Sequence, residues 1–287
     1  MQDSVLTQVL LPAILAVIMF GMGLSLTRAD FSRLWQTPKP IFVGLVGQIL
    51  LLPILAWGIA VLFNLPAELA IGLMILAACP GGTTSNVISQ LARANLALSV
   101  SLTAVTTLIC VFTTPWIIQF AIQQFAADQV QSFSLLNTSL GLMLLTLLPV
   151  ILGIAFRARW EQRALAIEGI FRKISLLFMV ALIIAIVIQE IDMLLASFDQ
   201  IFWATLVLNF AAIATGVWLA KLTGLALPEK VTLGIEVGIQ NASMAILIAI
   251  TFLSNPAYAT SAGVYGVTMY IGAVFLAVWA KKQYQRR

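Results

Sequence analysis

Histidine is absent from the 287 residues, and charge of either sign is scarce: 15 Lys and Arg with 11 Asp and Glu amount to 9% of the chain. Without imidazole there can be no histidine proton relay, no histidine metal site and no Ser-His-Asp triad. A soluble globular chain carries roughly 25% charged residues, so this one cannot cover a water-facing surface. Cysteine is nearly missing as well. Cys79 and Cys110 stand in apolar stretches without a Cys-x-x-Cys partner, and read as small buried hydrophobes rather than ligands or a disulfide. The formal net charge of +4 is too small to suggest a nucleic-acid partner. The first residues lack the basic n-region and small-residue cleavage site of a signal peptide, so the first apolar run is expected to be a retained span.

What is abundant is apolar sequence, 61% of the chain. Runs of span length occupy 6–26, 41–63, 67–91, 96–120, 135–156, 174–189, 201–220, 231–253 and 259–280. Each crossing needs about 20 apolar residues, so nine would consume roughly 180 and leave short loops with no extramembrane domain. The expected class is an all-α integral membrane protein of nine transmembrane helices, with the lipid bilayer as its main partner.

Loop charge tests that count independently. Every second connection is basic: Arg28, Arg33 and Lys39; Arg93; Arg157, Arg159, Arg163, Arg172 and Lys173; Lys221 and Lys230; Lys281, Lys282, Arg286 and Arg287. These are all 15 Lys and Arg residues, and the intervening connections hold only acids such as Asp128, Glu190, Asp192 and Asp199. Adding or losing one span would destroy the alternation. The positive-inside rule then puts the N-terminus outside and the C-terminus in the cytoplasm.

A faint repeat runs through the two halves. Leu65-Pro66 opens the third span and is followed by Gly72; Leu227-Pro228 opens the eighth and is followed by Gly234 at the same offset. Leucine is common enough for this to be coincidence. Yet both segments are then interrupted by polar, glycine-containing sequence, Cys79-Pro80-Gly81-Gly82-Thr83-Thr84-Ser85-Asn86 and Glu236-Val237-Gly238-Ile239-Gln240-Asn241. On the topology above the two run in opposite directions. Paired interrupted helices in inverted halves point to a secondary transporter's binding site. Pro80-Gly81-Gly82 can also be read as a kink with close packing, and Pro53, Pro115 and Pro149, without polar neighbours, read as ordinary kinks.

Glu236 is the only charged residue lying well inside a span. A charge at a helix centre costs roughly 2.5–3.5 kcal/mol on insertion scales, so it requires partners. One reading is a bond to a neighbouring helix, or a protonated side chain. The other follows from helix rise: Glu236 lies about 9 Å above Lys230, Gln240 about 15 Å, and Gln48 about 13 Å above Lys39. Ser85 and Asn86 precede the turn at Arg93, and Ser99 and Thr103 follow it on one helix face, so both arms return to about that height. Gln48, Ser85, Asn86, Ser99, Thr103, Glu236, Gln240 and Asn241 can therefore meet near the midplane. One carboxylate among neutral oxygens suits a hard, weakly charged cation, sodium best, and not a transition metal. Half-helices starting near Thr83 and Asn241 would point positive ends inward, toward an anionic ligand.

Pro80 to Val87, Leu91-Ala92-Arg93 with Ala97-Leu98-Ser99-Val100, Ile235 to Asn241, and Met19-Phe20-Gly21-Met22-Gly23-Leu24 together resemble the bile acid:sodium symporter family, and the likeness covers nearly the whole chain. The resemblance implies inverted repeats with two broken crossing helices, the third and eighth. Residues 1–125 (spans one to four, the first repeat helix absent) would form one half and 126–287 (spans five to nine) the other. It further implies a core domain of spans two to four and seven to nine, and a panel domain of spans one, five and six. One sodium site would use Ser85, Asn86, Ser99, Thr103 and Glu236. A second would use Gln48, Glu236, Gln240 and the carbonyls of Val237 and Ile239, with substrate contacts at Thr83 and Asn241. Where relatives often carry Trp-His-Asn in the last span, this chain reads Val264 to Tyr270, which makes a smaller organic carboxylate as good an expectation as a bile acid.

The leading expectation is thus sodium-coupled symport of an organic anion by alternating access across a bacterial inner membrane, with sodium as coupling ion and no other cofactor. The alternatives are proton coupling through Glu236, and an intramembrane enzyme or sensor. A lone Glu among amides offers no nucleophile-base pair and no metal centre, which argues against catalysis. The alternating loop charges predict that a reporter fused after Arg287 reads out the cytoplasm and one inserted after Gln129 the exterior. Both reading out on one side would exclude nine crossings.

Overall fold

The computed structural model describes residues 9–127 and 134–285. Asp128 and Gln129 of the expected outer connection, Arg286 and Arg287, and the start of the expected first span lie outside the described residues. Regular structure within them is helical, apart from one isolated backbone bridge. The first stretch comprises α1 (Leu11–Leu24), α2 (Arg28–Gln36), α3 (Pro38–Leu45), a π-helical turn at Val46–Leu51 and α4 (Leu52–Leu62). Then come α5 (Ala67–Ala78), α6 (Thr84–Leu91) and α7 (Leu96–Phe125). The rest is α8 (Leu135–Leu142), a second π turn at Met143–Leu147, α9 (Leu148–Arg159), α10 (Glu161–Gln189), α11 (Ile191–Leu222), α12 (Leu227–Gly238), α13 (Ala242–Thr251) and α14 (Ala259–Gln285).

Six of these helical stretches are long and apolar enough to cross a membrane: Pro38–Leu62, Leu96–Phe125, Leu135–Arg159, Glu161–Gln189, Ile191–Leu222 and Pro256–Gln285. The other three expected segments hold shorter helices, namely α1, α5 followed by α6, and α12 followed by α13.

Several expected loops are instead helix. Spans expected at 174–189 and 201–220 belong to helices that begin at Glu161 and Ile191, so Arg163, Arg172, Lys173, Asp192 and Asp199 ride on α10 and α11. Hydropathy marks the hydrocarbon layer, but backbone hydrogen bonds continue wherever side chains reach water or headgroups. The connection between residues 26 and 41 is largely α2, whose start is fixed by the Asp30 carboxylate accepting from the Thr27 N–H at 2.8 Å. Arg157 is not a free loop charge either. It donates to the Leu24 carbonyl at 3.1 Å, at the end of α1, and lies 3.5 Å from Glu168. A cation there complements the helix C-terminus.

Two of the three expected proline kinks have a more specific form. Pro53 and Pro149 each follow a π turn, in which Leu52 N–H bonds to Gly47 and Leu148 N–H to Met143, five residues back. The wide turn makes room for the ring and absorbs the missing donor. Pro115 alone sits inside unbroken α-helix.

Burial does not follow hydropathy: Glu161–Gln189 is the most apolar of the six long stretches and the least buried. Every residue from Leu69 to Ala78 in α5, Val231 to Gly238 in α12 and Ala242 to Ala249 in α13 is buried. In a membrane protein a helix apolar all round can face protein or lipid, and these three face protein. By contrast α10 buries only Ala164, Leu182 and Ile186, and most of its apolar surface faces outward.

The faint sequence repeat becomes a repeated order of devices. Asn64 (φ 48°) and Gly224 (φ 69°) take left-handed conformations after α4 and α11, and the next N–H in each case bonds back to Ala60 or Ala220. A helix opened by proline follows. Gly72 and Gly234 then allow close approach: a methyl on Gly72 would strike the Tyr258 carbonyl, and one on Gly234 would lie 2.8 Å from Leu276 and Val217. After each interruption and second helix comes another left-handed residue, Arg93 (φ 55°) or Ser254 (φ 50°). Asn95 and Asn255 then cap the next turn, each side chain accepting a backbone N–H at 3.1 Å.

Elsewhere α1 packs on α9 and α10. Gly23 and Gly153 face each other there so closely that a methyl on either would strike the opposite backbone, at the Val150 and Phe20 carbonyls. Gly153→Ala should therefore lower the melting temperature in detergent, at a cost of about 1–3 kcal/mol. Gly169→Ala, where a methyl meets nothing within 4 Å, should leave it unchanged or raise it, because Ala is the better helix former. Equal effects at the two positions would refute the close crossing.

Candidate functional site

Two helices stop in the protein's interior, and the backbone they leave must be satisfied without water. After α5 the chain is extended at Cys79 (φ −76°, ψ 156°), and after α12 at Ile239 (φ −111°, ψ 114°). The two stretches pair antiparallel, Gly81 opposite Gln240. Gly82 N–H donates to the Ile239 carbonyl at 3.2 Å and Asn241 N–H to the Pro80 carbonyl at 3.0 Å. Side chains from other helices serve the helix ends: Thr114 donates to the Ala78 carbonyl at 2.6 Å, and Asn209 and Tyr265 both donate to the Gly238 carbonyl. The glycines keep this close approach free of strain. A Cβ at Gly81 would lie 3.1 Å from Gln48 Nε2 and 3.2 Å from Glu236 Oε2, and one at Gly82 would lie 3.0 Å from the Gln240 carbonyl.

Beside this crossing lies Glu236, fully buried two residues before the end of α12. Ser85 of α6 and Ser99 of α7 both donate hydroxyls to its Oε1, and Thr103, one turn beyond Ser99, donates to Oε2 at 3.0 Å. The Ser99 oxygen is also 2.8 Å from Asn86 Oδ1. A hydroxyl has one proton, so Ser99 cannot donate to both acceptors at once. The cluster holds more oxygen lone pairs than protons to fill them. Among the described residues no basic side chain pairs with Glu236, and no group of three His, Cys, Asp or Glu side chains converges.

On the other side of the Glu236 carboxylate, Gln48 projects from the first π turn. Its Nε2 donates to Gln240 Oε1 at 3.3 Å, while its Oε1 is buried with no hydrogen-bond partner among the described residues. Gln240 Nε2 donates to the Val237 carbonyl at 2.9 Å. Gln48, Gln240 and the Val237 carbonyl are thus linked by hydrogen bonds, and Gln48 Nε2, Glu236 Oε2 and the Ile239 carbonyl all lie within 4 Å of where a Gly81 Cβ would stand.

Seven of the eight residues singled out by depth in the sequence, all but Asn241, are therefore joined by hydrogen bonds. Asn241 is 8% exposed, and its side-chain oxygen caps α13 by accepting from Met244 N–H at 3.0 Å. Thr83 is half-buried immediately before α6. Tyr270 of α14 reaches the next residue, Thr84, at 3.4 Å between hydroxyl oxygens. Sequence reasoning missed Asn209, Tyr265 and Thr114. A polar amide in the middle of the apolar α11 was the available signal for Asn209; nothing in the local sequence marked the other two.

A family model described as the Sodium Bile acid symporter family matches residues 12–197. The chain is 32% identical to an uncharacterized sodium-dependent transporter, YocS, of Bacillus subtilis, over 93% of this chain and 82% of that one. It is 31% identical to a probable chloroplastic sodium/metabolite cotransporter, BASS2, of Oryza sativa subsp. japonica, over 92% of this chain but 62% of the longer relative. It is 28% identical to the human sodium-dependent organic anion transporter, over 95% of this chain and 72% of that protein.

Proposed function

Because the chain belongs to the Sodium Bile acid symporter family, we propose that it couples sodium entry to uptake of an organic anion by alternating access across a bacterial inner membrane. It is a transporter and not an enzyme, as its relatives' names also are. The observation that carries the finer reading is a fully buried Glu236 carboxylate whose hydrogen-bond partners are all oxygens. An ionised carboxylate in such a place needs a cation. Sodium suits neutral oxygens around a single negative charge.

The first sodium is held by Ser85, Asn86, Ser99, Thr103 and Glu236. The second lies among Gln48, Glu236, Gln240 and the carbonyls of Val237 and Ile239; the unpartnered Gln48 Oε1 supports this position. There the ion takes the place of the Gln240 N–H now facing the Val237 carbonyl. The anion binds beside Thr83 and Asn241, where the N-termini of α6 and α13 supply positive potential. Nine crossings, in two inverted halves, put the N-terminus outside and the C-terminus in the cytoplasm. A core of α3–α7 and α11–α14 carries the site, and a panel of α1 and α8–α10 moves against it.

Charge narrows the substrate. Two sodium ions with Glu236 leave the site at +1, an expensive state in low dielectric, and a monovalent carboxylate, bile-acid-like or smaller, brings it to zero. Sodium and substrate then raise each other's affinity by the same factor. One net positive charge enters per cycle, so an interior-negative potential should accelerate uptake. Thr103→Ala should raise the half-saturating sodium concentration roughly tenfold, the equivalent of about 1.4 kcal/mol, with substrate affinity at saturating sodium nearly unchanged. Glu236→Gln should fold but lose sodium-driven uptake in proteoliposomes. Uptake driven by a proton gradient without sodium, or retained by the Gln variant, would overturn the assignment.

A further inference from the structure

Asn209 of α11 and Tyr265 of α14 are both fully buried, and they converge on one atom. Asn209 Nδ2 donates to the Gly238 carbonyl at 2.8 Å and the Tyr265 hydroxyl to the same oxygen at 2.9 Å. The two donors occupy both lone pairs of that carbonyl and turn it toward α11 and α14. Ile239 is extended, and successive carbonyls of an extended chain point to opposite sides. The Ile239 carbonyl accordingly faces the other way, where Gly82 N–H meets it.

Glycine at 238 would otherwise leave this peptide unusually free to rotate. Space is made for the arrangement at some expense. Gly272 lacks the Cβ that would strike Asn209 Oδ1, and that oxygen is buried with no hydrogen-bond partner among the described residues. An unsatisfied buried acceptor is destabilising, and a leucine filling the same space would avoid that cost. Packing alone does not account for an amide here.

We propose that Asn209 and Tyr265 are positioning residues that set sodium affinity without touching the ion. By holding the Gly238 peptide they fix the direction of the Val237 and Ile239 carbonyls toward the second cation. This rests on the sodium-coupled reading above. Groups that orient metal ligands typically change affinity by about 10–100-fold when removed, and a weakly held monovalent ion belongs at the low end.

The test is sodium titration of the full-length purified protein, read as sodium-induced thermal stabilisation, for wild type, Asn209→Leu and Tyr265→Phe. Each variant should raise the half-saturating sodium concentration about tenfold while its sodium-free melting temperature stays near that of wild type. Tyr265→Phe keeps the ring and adds no polar atom, so it decides the matter if Asn209→Leu fails to fold. A lowered sodium-free melting temperature with unchanged sodium dependence in Tyr265→Phe would reduce the pair to packing and overturn the proposal. Wild type showing no stabilisation by sodium would instead overturn the sodium-coupled reading itself, and the clamp with it.

Discussion

A carboxylate buried without a basic partner has only two ways to exist in a low-dielectric interior: it takes up a proton, or it gathers dipoles and a cation around it. Glu236 is in that position, and much of the architecture can be understood as the gathering. Its hydroxyl donors come from α6 and α7, more than 130 residues away in sequence. The glycines of the facing interruption let bare backbone come within reach of it, since a Cβ at Gly81 would lie 3.2 Å from Oε2. A Cβ there would press on the carboxylate and on Gln48, each of which would have to give by a few tenths of an ångström.

Stopping two helices beside that carboxylate exposes backbone groups that lipid cannot satisfy. The protein answers by pairing the interruptions with each other and by sending Thr114, Asn209 and Tyr265 to the carbonyls that remain. This explains the gradient of burial. Helices α5, α12 and α13, which carry the interruptions, are enclosed on all sides, while α10 presents most of its surface outward. A site made of backbone carbonyls needs rigid surroundings, because each carbonyl's direction is set by its neighbours rather than by its own rotamer. The α1–α9 crossing is tied separately, through Gly23, Gly153 and Arg157. That separation suits the proposed motion of one group of helices past the other.

Much of this was legible in the chain. Scarce charge and long apolar runs identify a helical membrane protein, since lipid accepts few other surfaces. The motifs around Pro80 and Glu236 indicated the family that the comparisons establish. Seven of the eight polar residues placed at one depth are joined by hydrogen bonds, because an α-helix rises a constant 1.5 Å per residue and a charged loop marks where counting begins. The same arithmetic failed at helix ends. The charges of α10 and α11 were read as loop because hydropathy reports the solvent, and helical hydrogen bonding does not stop where the solvent changes.

What the sequence determined by itself is therefore class, family and depth: properties carried by composition, by local motifs and by a one-dimensional rise. Direction around the helix axis was left to the tertiary structure. Only packing decided that Asn209 faces Gly238 rather than lipid, that Tyr265 meets it from α14, and that Gln48 projects from a π turn opened ahead of Pro53. Each of these depends on which neighbour stands across a helix–helix contact. Around the site, α5, α12 and α13 are surrounded on every side, and no apolar stripe announces an inward face there.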